Sequence, residues 1–102
     1  NTSMKGAEVL YNSINENNEK IAKSIMKEFK TDLGSTRTIK TTDLYMYRNT
    51  TTPGVLVECG YLSNPTERTL LQQENYQKKL AKSITNGIIN YLKKKGQIKY
   101  VV

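Results

Sequence analysis

The stretch VLVECGYLSNP, residues 55–65, decides the fold. Gly54 to Cys59 is an apolar run without alternation that stops at a carboxylate, Glu58, and a glycine. Such a run reads as a buried strand of a parallel sheet covered on both faces. Glu58 then ends the strand, its backbone held by the sheet and its carboxylate projecting from the C-terminal edge. In open α/β sheets that edge is where ligands bind. Burial there raises a carboxylate's pKa and suits it to proton transfer near neutral pH. The same position also serves a structural glutamate that pairs with a lysine or caps the helix after Gly60. Asn64-Pro65-Thr66-Glu67 has the pattern of a capping box. Asn64 caps, Pro65 takes the first helical position, and Glu67 reaches back to the cap amide.

Outward from this segment, the pattern predicts further elements. Gly6 to Asn12 reads as a strand entered through a glycine. Ile21, Ala22, Ile25, Met26 and Phe29 recur at helical spacing, which predicts a helix over 15–29 with Asn15, Asn17 or Asn18 as cap and Gly34 as stop. Residues 30–42 have no period and read as a loop, Leu44 to Tyr47 as a strand, and Asn49 to Pro53 as a turn. A last helix is expected over 75–94, with Tyr76, Leu80, Ile84, Gly87, Ile88 and Tyr91 on one face. Gly87 costs about 1 kcal/mol there relative to alanine, which close packing against the sheet would offset. Lys93 to Lys95 suit the negative helix end, and Gly96 suits the position after it. The order β-α-β-β-α-α predicts an α/β fold: three layers, a mixed and mostly parallel sheet with helices on both faces.

The composition narrows the chemistry. The chain has 102 residues, enough for one small domain. It has no histidine, which removes Ser-His-Asp and Cys-His catalysis and disfavours a self-contained catalytic zinc site. Cys59 is the single cysteine, so there is no intrachain disulfide, and its apolar setting favours inert packing over nucleophilic use. Sixteen Lys and Arg against nine Asp and Glu give a net charge of +7, a balance that favours polyanions. Thirteen of the sixteen are lysines, so there is no arginine cluster for bidentate phosphate recognition. Lys78, Lys79 and Lys82 fall on the outer face of the last helix. No apolar run approaches the ~18 residues of a membrane span, and no nucleic-acid partner is expected. Among seven tyrosines, Tyr61 is best placed to stack on a sugar ring, although aromatic residues more often pack.

With these residues in view, VLVECGYLSNPTE resembles the signature of the zinc-dependent N-acetylmuramoyl-L-alanine amidases, the amidase-3 family of peptidoglycan hydrolases, P-A-V-L-V-E-x-G-F-L-S-N-x-x-E. Gly54 replaces Ala after Pro53, and Tyr61 replaces Phe. Gly6-Ala7-Glu8 is similar to the family's G-x-E, Arg37 and Lys40 to its R-x-x-K, and Leu44 to Arg48 to its L-x-V-L-R. Tyr76, Ala81, Ile84, Gly87 and Ile88 resemble its closing helix. The resemblance implies hydrolysis of the amide between N-acetylmuramic acid and L-alanine by a zinc-activated water, with Glu58 as general acid/base. It implies peptidoglycan as substrate and a secreted or cell-envelope location. It gives Glu8 no role beyond a structural one.

The family's zinc ligands, two histidines and a glutamate in upstream motifs, have no counterpart here, so no metal ligand is assigned to this chain. The expectation is that residues 1–96 are the C-terminal part of an amidase catalytic domain and 97–102 a tail or linker. Such a part would leave a sheet edge unpaired, and its expected partner is the upstream part of the domain or a second copy. The rival reading is a non-catalytic basic module that binds anionic cell-wall polymers or nucleic acid.

Overall fold

The computed structural model describes residues 6–43 and 51–96. The expected strand over 44–47 and the tail 97–102 lie outside the described residues. Strand β1 (Glu8–Tyr11) leads to helix α1 (Glu16–Leu33), strand β2 (Lys40–Thr41) and strand β3 (Leu56–Glu58). Helices α2 (Pro65–Leu71) and α3 (Glu74–Lys94) follow. The result is an α/β fold around a mixed sheet of order β2-β1-β3.

Helix α1 forms where the apolar period lies but runs four residues past Phe29. Asn15 caps it, its side chain accepting from the Asn17 amide at 2.9 Å. Ala22, Ile25, Met26 and Phe29 are buried along one face. Lys30 to Leu33 were expected in a loop, being polar, yet nothing stops the helix before Gly34, whose left-handed backbone (φ 65°) ends it. Asp32 in this added turn accepts from Ser83 Oγ at 2.7 Å. Strand β2 also falls inside the expected loop. It is two exposed residues whose backbone pairs parallel with Leu10 and Tyr11, and so short a polar piece carries no apolar pattern to announce it.

The expectation for residues 54–59 is corrected. Strand β3 runs antiparallel to β1, with Glu58 opposite Glu8, Val57 opposite Val9 and Leu56 opposite Leu10. Its three residues are half-buried rather than enclosed. Alternate residues face opposite sides of a strand. Ala7, Val9 and Tyr11 of the first segment, with Val55, Val57 and Cys59 of the second, pack into the core beneath α1. Glu8, Leu10, Leu56 and Glu58 therefore share the other face. An apolar residue on each face made the run look doubly covered, although its polar end belongs to a separate cluster.

Helix α3 starts one residue early and buries Leu80, Ser83, Gly87 and Tyr91. Tyr76 and Ile84 pack against the core as well, so of the expected face only Ile88, 40% exposed, turns outward, while Ser83 turns in. Gly87 is the reason. A Cβ on it would stand 2.6 Å from Ile25 Cα, so the close approach is to the backbone of α1 and not, as expected, to the sheet. Ser24 Oγ donates to the Gly87 carbonyl at 2.6 Å, and Asn90 Nδ2 to Glu28 Oε1 at 2.9 Å. The helical layer is thus two deep, with α1 resting on β1 and α3 on α1. At the end of α3, Lys93, Lys94 and Gly96 take the positions expected of them, Gly96 with φ 74°.

Candidate active site

The antiparallel register brings the start of β1 and the end of β3 together, so two glutamates face each other across the strand pair. Glu8 is 2% exposed, and its carboxylate is fully engaged. Oε2 accepts from Arg37 Nε at 3.2 Å and pairs with Arg37 Nη2 at 3.1 Å and Lys40 Nζ at 3.6 Å. Oε1 accepts from the Tyr61 hydroxyl, which in turn accepts from Arg37 Nη2 at 3.1 Å. The Arg37 guanidinium also lies 5.5 Å from the Tyr61 ring centroid. Gly6 makes room for it: its backbone is left-handed (φ 98°), and a Cβ there would meet Arg37 Cγ at 3.0 Å.

These contacts separate the two carboxyls. Burial alone would push Glu8 up, but hydrogen bonds from Tyr61 and Arg37, with the charges of Arg37 and Lys40, hold it below the ordinary carboxylate value. Glu58 moves the other way. Burial raises it, followed by a hydrogen bond to Glu8 and the Glu8 charge, while Lys40 and Arg37 only partly oppose them. Two carboxyls whose environments pull them apart are the usual arrangement for a proton carrier beside a fixed anion. Tyr61 is pushed up to about 12, by its hydrogen bond to Glu8, then burial, then the Glu8 charge, so it stays a donor.

The surrounding loop is held by α2. Asn64 Oδ1 accepts from the amides of Thr66 (3.0 Å) and Glu67 (3.2 Å), as its pattern predicts. Glu67 departs from the capping box. Its buried Oε1 accepts instead from the amides of Gly6 (2.6 Å) and Tyr61 (3.3 Å), tying the entry to β1 to the loop after β3. This long-range role has no local signal. Tyr61, considered for sugar stacking, has its hydroxyl and ring committed to Glu8 and Arg37. Cys59 packs against the core, and burial pushes its thiol up, which keeps the thiolate scarce at neutral pH. Lys78, Lys79 and Lys82 are exposed, Lys78 paired with Glu74 at 3.1 Å.

The sequence points to Glu58, and the structure sets Glu8 opposite it across the strands. The available signal was that Glu8, Arg37, Lys40 and Tyr61 all lie in quoted motifs. The convergence of Arg37, Lys40 and Tyr61 on Glu8, opposite Glu58, depends on strand register and a loop crossing, which spacing does not encode. Among the described residues, no group of three or more His, Cys, Asp or Glu could hold a metal ion. The residues present therefore do not make a zinc site by themselves.

The α/β scaffold thus ends strand β3 on a half-buried glutamate set opposite a second carboxylate. The Amidase_3 family model, N-acetylmuramoyl-L-alanine amidase, matches residues 1–90, and the chain belongs to this family. It is 42% identical to the germination-specific N-acetylmuramoyl-L-alanine amidase of Bacillus subtilis (strain 168), over 89% of this chain and 39% of that protein. Its fold is similar to that of the CwlD amidase from Clostridioides difficile, solved in complex with the GerS lipoprotein. That match has a TM-score of 0.86 and 34% identity over 91% of this chain and 49% of the other. The catalytic domain of CwlV, an N-acetylmuramoyl-L-alanine amidase from Bacillus (Paenibacillus) polymyxa var. colistinus, matches with a TM-score of 0.80 and 33% identity. There the match covers 91% of this chain and 51% of the other. The chain thus spans about two fifths to one half of the length of these relatives.

Proposed function

We propose that the complete protein hydrolyses the amide between N-acetylmuramic acid and L-alanine in peptidoglycan, with Glu58 as general acid/base. One observation carries this reading beyond family membership: the motif glutamate sits half-buried at a strand end, opposite a second carboxylate that favours its protonated form. A carboxyl of raised pKa accepts a proton from the attacking water and then gives it to the leaving amine of L-alanine with little mismatch in either direction. Glu8, Arg37, Lys40 and Tyr61 hold the local charge while that proton moves. Zinc belongs to this reading through the family, and its ligands would come from outside this chain, so no step here is routed through it. Residues 1–96 are then the C-terminal part of the catalytic domain, completed by its upstream part, and residues 97–102 a tail or linker. Action on peptidoglycan places the protein outside the cell or in its envelope. No helix among the described residues is long and apolar enough to cross a membrane.

The test is Glu58→Gln in the complete protein, read as release of free peptide from purified peptidoglycan. Loss of a general acid/base lowers the rate by ~10²–10⁴. Zinc content should be unchanged and the variant should remain folded. Wild-type turnover in that variant sinks the assignment of Glu58.

A second reading, the polyanion-binding module, has one observation in its favour. A groove of about 600 Å³ between α1 and α3 carries Lys20, Lys23, Lys27, Lys93, Lys94 and Lys95. Binding there would weaken steeply with salt and leave Glu58→Gln without effect.

A further inference from the structure

We propose that Glu8 is a positioning residue for Glu58: an anion fixed by Arg37 and Tyr61 that makes Glu58 hold and return its proton. The inference rests on the reading of Glu58 as acid/base and assigns a role to a residue that reading leaves structural.

The geometry carries it. Glu8 lies directly across the strand pair from Glu58 and is almost fully buried. A buried carboxylate that served only to join β1 to the loop before β2 would need Arg37 alone. Here both oxygens are occupied from separate segments: Arg37 before β2, Lys40 in β2, and Tyr61 after β3. That leaves Glu8 the better-solvated anion of the two, in effect, because protein donors replace the water it lost. Among the described residues these donors gather on Glu8, and Glu58 meets the Glu8 charge across the ladder. Two carboxyls set opposite each other across a ladder do not both ionise readily, and Glu8, which holds these donors, is the one that gives up its proton first. Among the described residues, the charged and titratable groups facing Glu58 are Glu8, Lys40, Arg37 and Tyr61. The two cations oppose the effect of Glu8, and the net direction is upward.

The experiment uses the complete enzyme and the pH profile of kcat/KM on purified peptidoglycan. Glu8→Gln removes the neighbouring anion and should move the acid limb to lower pH. Arg37→Gln removes a cation from the pair and should move it to higher pH. A melting curve accompanies each variant. Folded variants that lose rate with the acid limb unmoved would reduce Glu8 to a structural role and overturn the proposal. If neither variant folds, the unsubstituted enzyme decides, through carboxyl carbon-13 titration of glutamates 8 and 58. Two steps seen at both carboxyls support the pair, and a single independent step at each overturns it. Failure of the underlying reading looks different. Glu58→Gln would then keep its turnover while the coupled titration of the wild-type pair persisted.

Discussion

The β1–β3 strand pair and the α1–α3 helix pair are both built on close approach, but they differ in what they bring together. Between the helices, Gly87 lets two backbones meet, and the polar groups around it are satisfied one to one: Ser24 with the Gly87 carbonyl, Ser83 with Asp32, and Asn90 with Glu28. Across the strands, two carboxyls are set face to face, and three other side chains are recruited to manage the charge. The first arrangement has nothing left over. The second sets a carboxyl held low beside one pushed up. A satisfied contact specifies packing, whereas an unevenly satisfied pair of titratable groups is able to do chemistry.

The sharpest way to separate the two regions is Glu58→Gln, which should lower amide hydrolysis by ~10²–10⁴ in a variant that still folds. Next comes Gly87→Ala. Helix propensity alone would favour alanine by ~1 kcal/mol, but its methyl would overlap Ile25 Cα, and overpacking against backbone costs about 1–3 kcal/mol. Net destabilisation, measured by denaturant unfolding, is the expected result. A stabilised Gly87→Ala would mean the helices part easily. Asn64→Ala should cost about 1 kcal/mol by loss of the α2 cap, again by denaturant unfolding, and should loosen the Tyr61 loop that α2 holds.

The last effect is confined to pH. Glu8 has a lowered carboxyl, so its contribution to stability is present above the ordinary value of 4.5 and is lost as pH falls through the lowered one. Glu58 has a raised carboxyl, so its contribution is full below 4.5 and is lost as pH rises through the raised value. The pair therefore adds most to stability in a mildly acidic window around 4.5, where Glu58 holds a proton and Glu8 does not. Melting temperature against pH should fall on both sides of that window, and Glu58→Gln should abolish the fall on the alkaline side. A profile unchanged by Glu58→Gln would put the pair on the same footing as the helix contacts.

What was legible in the sequence follows from the range of each interaction. The apolar period of α1, the Asn15 and Asn64 caps and the glycine stop at Gly34 act within a turn or two, so residue order reports them directly. Glu58 was legible because its whole surrounding, strand end, tight loop and capped helix, is one continuous segment. Strand β2 was not, since two exposed residues paired through backbone carry no pattern. Glu67 misled because a local capping box and a contact 61 residues away begin from the same side chain. Residue order determined the family, the helices and the glutamate at the end of β3. Only the tertiary structure decided that β3 runs antiparallel to β1, which places Glu8 opposite Glu58 and draws in Arg37, Lys40 and Tyr61. The reason is physical: register and long-range charge pairing are set by how whole elements dock, and docking is a property of surfaces that no short window of sequence contains.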